Sequence, residues 1–296
     1  MKKYIYLLVV LVLNVACEDV IDVEVPNEEP RLVVDALIRV DIDEQFIPVE
    51  VKLSLSSDFF NNNTPTTAES VVILYEEYEG NRVIDTRFSN LAELVPGSGI
   101  YTPDPNFDAD QRIPTNILDR NWVFTLLITH QGRRYLASTK YVPAVPIDSV
   151  IQGDGTLFND DETEVIITFT DDPDRDSFYL FDLSLSEFLV TEDKFYKGQQ
   201  FSFSYFYDQI FEPNTEIEIR LMGVDQTFFN YMDLLIEQTT NDAGIFSTPV
   251  ATVRGNVFDI TDIDNIDLLD NVEQPDVFPL GYFAIVQEYK QILIIQ

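Results

Sequence analysis

Cysteine and histidine are almost missing from this sequence: Cys17 and His130 are the only ones in 296 residues. That scarcity excludes a zinc centre, which needs several thiolate or imidazole ligands, and leaves Cys17 no partner for an internal disulfide. A nucleophile–His dyad would have to use His130, which ends a predicted strand beside Gln131 and Gly132, an ordinary hairpin position. No Gly-x-Ser-x-Gly elbow is present, since Gly97-Ser98-Gly99 has the wrong spacing. Phosphate-cradling glycine loops and dinucleotide fingerprints are lacking too. Basic residues are scarce, with 18 Lys and Arg against 52 Asp and Glu and a formal net charge of −34. Such a surface repels phosphates, so nucleic acid is excluded as a partner. It suits cations, a basic partner, or plain solubility in a salty medium.

Long apolar runs are missing everywhere except at the N-terminus. There Lys2 and Lys3 precede an apolar stretch over 4–13, and the small Ala16 precedes Cys17. Charge, short apolar run and small residue form the layout of a secretory signal peptide over 1–16. The run falls short of the roughly 20 residues a spanning helix needs. Leu13-Asn14-Val15-Ala16-Cys17 resembles a bacterial lipobox, with Asn14 where a large apolar residue is usual. That resemblance makes Cys17 the lipid-attachment residue and the chain anchored to a membrane rather than spanning it. Glu18 and Asp19 then open an acidic tether over 17–29.

What is present is a core. Hydrophobic residues make up 45% of the chain and aromatics 12%, enough for a folded rather than a disordered chain. Length favours two domains. The spaced prolines of Val142-Pro143-Ala144-Val145-Pro146 place the junction, giving an N-terminal domain at 30–143 and a C-terminal domain at 147–296.

In the first domain, Val49, Val51, Leu53 and Leu55 alternate with polar residues, the mark of a strand with one wet face. Similar runs occur at 31–40, 71–75, 83–88, 122–129 and 135–141, while 96–114 reads as a long loop. The pattern predicts an immunoglobulin-like or transthyretin-like β-sandwich. The second domain continues with strands at 165–169, 178–184, 200–207, 216–221, 281–286 and 292–295. One exception is 227–238, where Phe228, Phe229, Met232, Leu235 and Ile236 recur at helical spacing behind Asp225 as N-cap. The fold class is therefore mainly β, with a single amphipathic helix in the second domain.

The stretch from Cys17 to Val23, followed by Glu29-Pro30-Arg31-Leu32-Val33-Val34, resembles the start of domain-of-unknown-function family 4249 from Bacteroidota. Phe246-Ser247-Thr248-Pro249-Val250, Gly255-Asn256-Val257 and Leu280-Gly281-Tyr282-Phe283-Ala284 resemble its C-terminal end. The resemblance implies an outer-membrane lipoprotein, periplasmic or surface-exposed, often encoded beside TonB-dependent receptors. It supplies no catalytic residues to carry over.

Chemistry is sparse in the residues themselves. The sharpest candidate is the Asp-rich turn Asp171, Asp172, Asp174 and Asp176, whose oxygens suit Ca²⁺ in type but lack EF-hand spacing. Asp and Pro favour such turns for backbone reasons alone. The acidic segment 259–270 is read the same way, and no other cofactor is indicated. A glycosidase would need two carboxyls flanking a cleft, and the sequence singles out no pair. Phe201, Phe203, Tyr205 and Tyr207 share one face of a strand and are assigned to the core rather than to ligand stacking. The expectation is a non-catalytic outer-membrane lipoprotein, an accessory or ligand-capture partner of a TonB-dependent transporter. The alternative is an adhesive surface protein making contact through loops at 58–67 or 96–114.

Overall fold

A computed structural model describes residues 29–57, 63–158, 161–240, 253–262 and 278–296. The expected signal peptide, Cys17, the expected tether up to residue 28, residues 58–62 of the loop at 58–67 and the acids at 263–270 lie outside the described residues. So do Phe246 to Val250.

Among the described residues, seventeen strands and one α-helix follow in chain order. They are β1 (Leu32–Val40), β2 (Val51–Leu55), β3 (Thr64–Pro65), β4 (Ser70–Glu79), β5 (Arg82–Glu93), β6 (Ile100–Pro103), β7 (Trp122–His130), β8 (Arg133–Thr139) and β9 (Tyr141–Val142). Then come β10 (Ile147–Gln152), β11 (Thr163–Thr170), β12 (Phe178–Asp182), β13 (Phe188–Glu192), β14 (Gln200–Tyr207), β15 (Glu216–Val224), α1 (Gln226–Thr240), β16 (Val257–Asp259) and β17 (Leu280–Ile294). The chain is mainly β, as its patterning predicts. The long loop expected at 96–114 contains β6, which pairs with β5 and β2.

One hydrogen-bonded path joins most of the strands, in the order β13-β12-β15-β17-β1-β2-β6-β5-β4-β7-β8-β16. Strands β10, β11 and β14 form a separate sheet. Three cores follow from this arrangement. The first lies inside the N-terminal strands, where Val34, Ile38, Val51, Ile73, Phe124 and Leu126 meet Phe283 and Ile285 of β17. The second lies between the three-stranded sheet and β12–β15–β17, around Phe169, Tyr179, Phe181, Ile219 and Leu221. The third is under α1, on the opposite face of that sheet, around Leu180, Met222, Phe228 and Tyr282.

Strands β1 to β9 precede the prolines at 143 and 146 or end beside them and β10 to β15 follow, but strand pairing crosses that point. Strand β16 pairs with β8, and the first half of β17 runs parallel to β1 from Val33↔Leu280 to Val40↔Gln287. Its second half pairs antiparallel with β15. Nor is the proline segment a free spacer: β9 pairs with β17, and the Ala144 amide donates to Gln287 Oε1 at 2.9 Å.

Gly255 and Gly281 explain the closure of the first sandwich. A side chain on Gly255 would meet the Gly281 carbonyl at 1.6 Å, and one on Gly281 would meet the Val34 carbonyl at 1.9 Å. Gly281 also sits at φ +93°, where L-residues are strained. Beside them, Asn256 stands in for a strand: its Oδ1 accepts from the Phe283 amide and its Nδ2 donates to the Phe283 carbonyl, both at 2.8 Å. Two short motifs far apart in sequence thus meet in one backbone junction.

Helix α1 begins as expected. The Phe228 amide donates to Asp225 Oδ1 at 2.7 Å, which caps the first turn. Phe228 and Tyr231 then pack against Tyr282, with ring centroids 4.6 and 5.0 Å apart. The aromatic ladder of β14 also faces inward, with Phe203 against Phe181 and Phe201 against Phe169. Among the described residues no helix is long and apolar enough to cross a membrane.

Candidate functional site

A cleft of about 470 Å³ opens where the chain enters the fold. Its walls are the start of β1, the end of β2, the β7–β8 hairpin, Asp259 of β16 and the approach to β17. The hairpin turn is set by Gln131 (φ 52°) and Gly132 (φ 74°), two left-handed residues that match the strand twist. That turn sets His130 opposite Arg133 in the register.

Arginine and phenylalanine build the mouth. The Phe278 ring lies between two guanidinium groups, with Arg31 Cζ 4.0 Å and Arg254 Cζ 3.9 Å from its centroid. Each contact is a cation–π interaction. Below it, Arg133 Nε donates to Asp259 Oδ2 at 2.8 Å, and Asp259 Oδ1 accepts from the Thr261 amide. Burial pushes the Tyr135 phenol upward, with the Asp259 charge adding to the shift and Arg133 opposing it. Among the residues lining the cleft, Arg31 and Arg133 stand beside Glu29 and Asp259, so its charges balance in number.

His130 lines this cleft. It is buried, and its Nε2 lies 2.8 Å from Thr66 Oγ1. Burial lowers its pKa while the Glu69 charge opposes that shift, which favours the neutral ring.

The Asp-rich turn disperses instead of converging. Asp171 is buried and accepts from Tyr179 Oη at 2.5 Å and from the Gly198 amide at 2.7 Å. Asp172 accepts from the Asp174 amide and pairs with Arg175, whereas Asp176 pairs with Lys197 at 2.6 Å. Asp171, Asp172 and Asp176 therefore brace the turn and its neighbours, and Asp174 contributes its backbone amide. Among the described residues no group of three or more His, Cys, Asp or Glu side chains is placed to hold a metal ion. Asp259, first of the second acidic segment, is engaged by Arg133 as described above.

The structure reveals one carboxylate pair that sequence reasoning did not single out. On the α1 side of the sheet, Arg39 Nη1 lies 2.8 Å from Asp182 Oδ2 and 3.4 Å from Glu288 Oε2, and Arg220 reaches both acids from the other side. Burial raises Asp182, but Arg39, the Ser184 amide and Arg220 outweigh it and leave the group below the ordinary value. Glu288 moves up, chiefly through burial. Opposed shifts in neighbouring carboxyls are an acid–base signature. Here, however, the guanidinium occupies the space between them that a glycosidic oxygen would need, and the row reads as a charge ladder tying β12, β15, β17 and β1 together. Its signal in the sequence is weak, because Arg39, Asp182, Arg220 and Glu288 are scattered singly over four strands.

A family model described as "Domain of unknown function (DUF4249)" matches residues 18–266. The chain belongs to DUF4249. The match takes in β1 to β16 with Gly255 and Asn256, and it stops before β17, which holds Gly281 and Phe283, their partners across the junction. No curated protein matches the chain. For this DUF4249 member the family name carries no activity, so function is argued from the molecule itself.

Proposed function

We propose that this DUF4249 chain is a non-catalytic bacterial lipoprotein, anchored to the outer membrane through Cys17 and acting as an accessory or ligand-capture partner of a TonB-dependent transporter. The observation that carries the reading is the join between anchor and fold. The lone cysteine follows a short apolar run, the acidic tether follows the cysteine, and β1 starts at Leu32 directly beside a cleft. A ligand in that cleft would then sit at the membrane-facing root of the molecule, within reach of a barrel. Thirteen tether residues span at most about 45 Å when extended. The non-catalytic part is supported by how the reactive groups are used: His130 packs, the Asp-rich turn braces itself, and Asp182 and Glu288 share arginines.

Membrane fractionation with Cys17→Ala tests the anchor, and an affinity pull-down from detergent-solubilised outer membranes tests the partner. The expected results are release of Cys17→Ala into the soluble fraction and enrichment of one barrel with the wild type alone. Unchanged fractionation of Cys17→Ala removes the anchor. Wild type emerging without a barrel removes the transporter partnership.

A further inference from the structure

The first sandwich has a second pocket, at the other end of β7 from the cleft. Its volume is about 90 Å³, and Leu118, Arg120, Trp122, Phe124, Lys140 and Tyr141 stand in its walls. Cleft and pocket share no lining residue. His130 in the one and Trp122 in the other end the same strand, about 26 Å apart at roughly 3.3 Å per step.

The local chain explains how the pocket forms. A 3₁₀ turn at Thr115–Ile117 leads into two tight bonds. The Arg120 amide donates to the Ile117 carbonyl at 3.2 Å, and the Trp122 amide donates to the Arg120 carbonyl at 3.0 Å. Between them Asn121 is pinned from three sides. Its carbonyl accepts from the Tyr78 amide at 2.9 Å, its Nδ2 donates to the Tyr78 carbonyl at 3.4 Å, and its Oδ1 accepts from Lys140 Nζ at 3.1 Å. Trp122 and Phe124 then take the inward face of β7. The strand thus supplies an aromatic wall, while Arg120 and Lys140 come from the segments that flank it.

Two observations say what such a pocket takes. One is an unspent donor: Trp122 is 2% exposed, and its Nε1 is buried without a hydrogen-bond partner among the described residues. Its neighbours do not supply one. Tyr75 packs ring to ring at 5.3 Å, and Arg87, with Cζ 5.3 Å from the indole centroid, has only donors to offer. Buried polar groups are paired as a rule, and an exception calls for a bound partner or a role. The other is charge. The lining has two cations and no carboxylate, in a chain of net charge −34. Arg120 also keeps its donors, since Glu77 and Asp119 pair with it only at 3.6 and 3.8 Å, beyond hydrogen-bond reach.

We propose that this pocket binds a small carboxylate, with the Trp122 N–H, Arg120 and Lys140 as its donors. A planar carboxylate has two oxygens and can accept from a guanidinium fork and an indole N–H together. Phosphate carries more charge to desolvate against Leu118 and Phe124 and is the poorer match. A water needs roughly 10–15 Å³ of such space, so the pocket admits an acid of a few heavy atoms.

The test uses the full chain and acetate as probe. Trp122 is the only tryptophan, so its indole N–H gives a single resonance in a ¹⁵N–¹H spectrum. Sodium acetate is titrated against sodium chloride at constant ionic strength and neutral pH. The resonance should move and saturate in the millimolar range, as suits so small a ligand. Neutral acetamide and phosphate should each bind at least about tenfold more weakly. Arg120→Gln combined with Lys140→Gln should cost about tenfold or more in acetate affinity, the scale of a lost hydrogen bond to a charged group. Both residues are exposed, so the double variant keeps the fold. Lys197→Gln, which removes the cation paired with Asp176, should change nothing. The proposal is overturned by an indole resonance that acetate leaves in place, or by one that acetamide or phosphate moves at equal or lower concentration. Undiminished binding in the double variant, or an equal loss in Lys197→Gln, overturns it as well.

Discussion

Strands β7 and β17 show two ways of building a sheet. Along β7, buried and half-buried side chains alternate without interruption from Trp122 to His130. Along β17, the six residues Tyr282 to Gln287 are all buried. Strand β7 has one face in the first core and the other in water. Strand β17 has Phe283 and Ile285 in the first core and Tyr282, Ala284 and Val286 under α1. Alternation is thus the mark of an outer wall, and a continuous apolar run is the mark of a strand between layers. The regions also differ in what closes them. The first sandwich is joined by backbone at Gly255, Asn256 and Gly281, and the second is filled by aromatic rings and tied by the charge ladder.

The heaviest blow to the aromatic region is Phe169→Ala. Phe169 is fully buried, and its ring lies within 6.0 Å of those of Tyr179, Phe181, Tyr196 and Phe201. Its removal should lower stability by about 3–5 kcal/mol. Trp122, the only tryptophan, lies in the first sandwich and reports on it. Because β17 belongs to both regions, the Trp122 fluorescence transition in urea should move together with far-ultraviolet circular dichroism. A fluorescence midpoint left in place would show two independently folding halves and would break the comparison.

The backbone junction is attacked by Gly281→Ala, which forces a Cβ against the Val34 carbonyl at positive φ. A loss of about 3 kcal/mol is expected. Gly80→Ala is the control, since Gly80 has positive φ but open space around it. It should lose only about 1 kcal/mol. Equal losses at the two positions would mean that backbone conformation, not closure, is what Gly281 provides.

The charge ladder is weakened by Asp182→Asn, which should lose about 2 kcal/mol at neutral pH, the scale of hydrogen bonds to charged groups. Asp182 has a folded-state pKa below its ordinary value. Its contribution is therefore complete above the unfolded value near 3.9 and lost as pH falls through the folded one. Wild type and variant should converge in thermal stability as pH is lowered through that window. A gap that persists to the lowest pH would assign the loss to packing.

How much of this was legible in the sequence follows from the same contrast. The alternation at 49–55 yields β2, and the spacing at 227–238 with Asp225 yields α1, because periodicity reports local exposure. Periodicity does not name partners. That β17 runs parallel to β1, some 250 residues away, leaves no local trace, although the apolar run at 281–286 marks an inner strand. The prolines at 143 and 146 suggest a spacer, but hydrogen bonding to Gln287 decides otherwise. Beside the cleft, Arg31, Arg254 and Phe278 have no common pattern in the sequence, and they meet where β17 pairs with β1. The Asp-rich turn shows the reverse failure: its composition suits a cation, but Tyr179, Gly198, Arg175 and Lys197 reach its carboxylates first.

His130 offers the finest test of the one-sided wall. It closes the alternation of β7 on the buried side, hydrogen-bonded to Thr66. Replacing it by Phe keeps the apolar bulk and removes that bond, so a loss of about 1 kcal/mol is expected at pH 7.5. The informative quantity is the pH slope. Burial sets the folded pKa below the usual value near 6.5, so between the two values the unfolded chain binds the proton more readily. Stability is fully present above the unfolded value and falls as pH decreases toward the folded one. Glu288, shifted upward by burial, works in the opposite sense, because its protonation favours the folded chain. Wild type alone would mix the two effects; the difference between wild type and His130→Phe isolates the imidazole. Urea midpoints at pH 7.5 and pH 5.5 should show the wild type losing ground to the variant on acidification. A constant difference between them would mean that the ring titrates in the folded protein as it does in water, and that this edge of the wall is open to solvent.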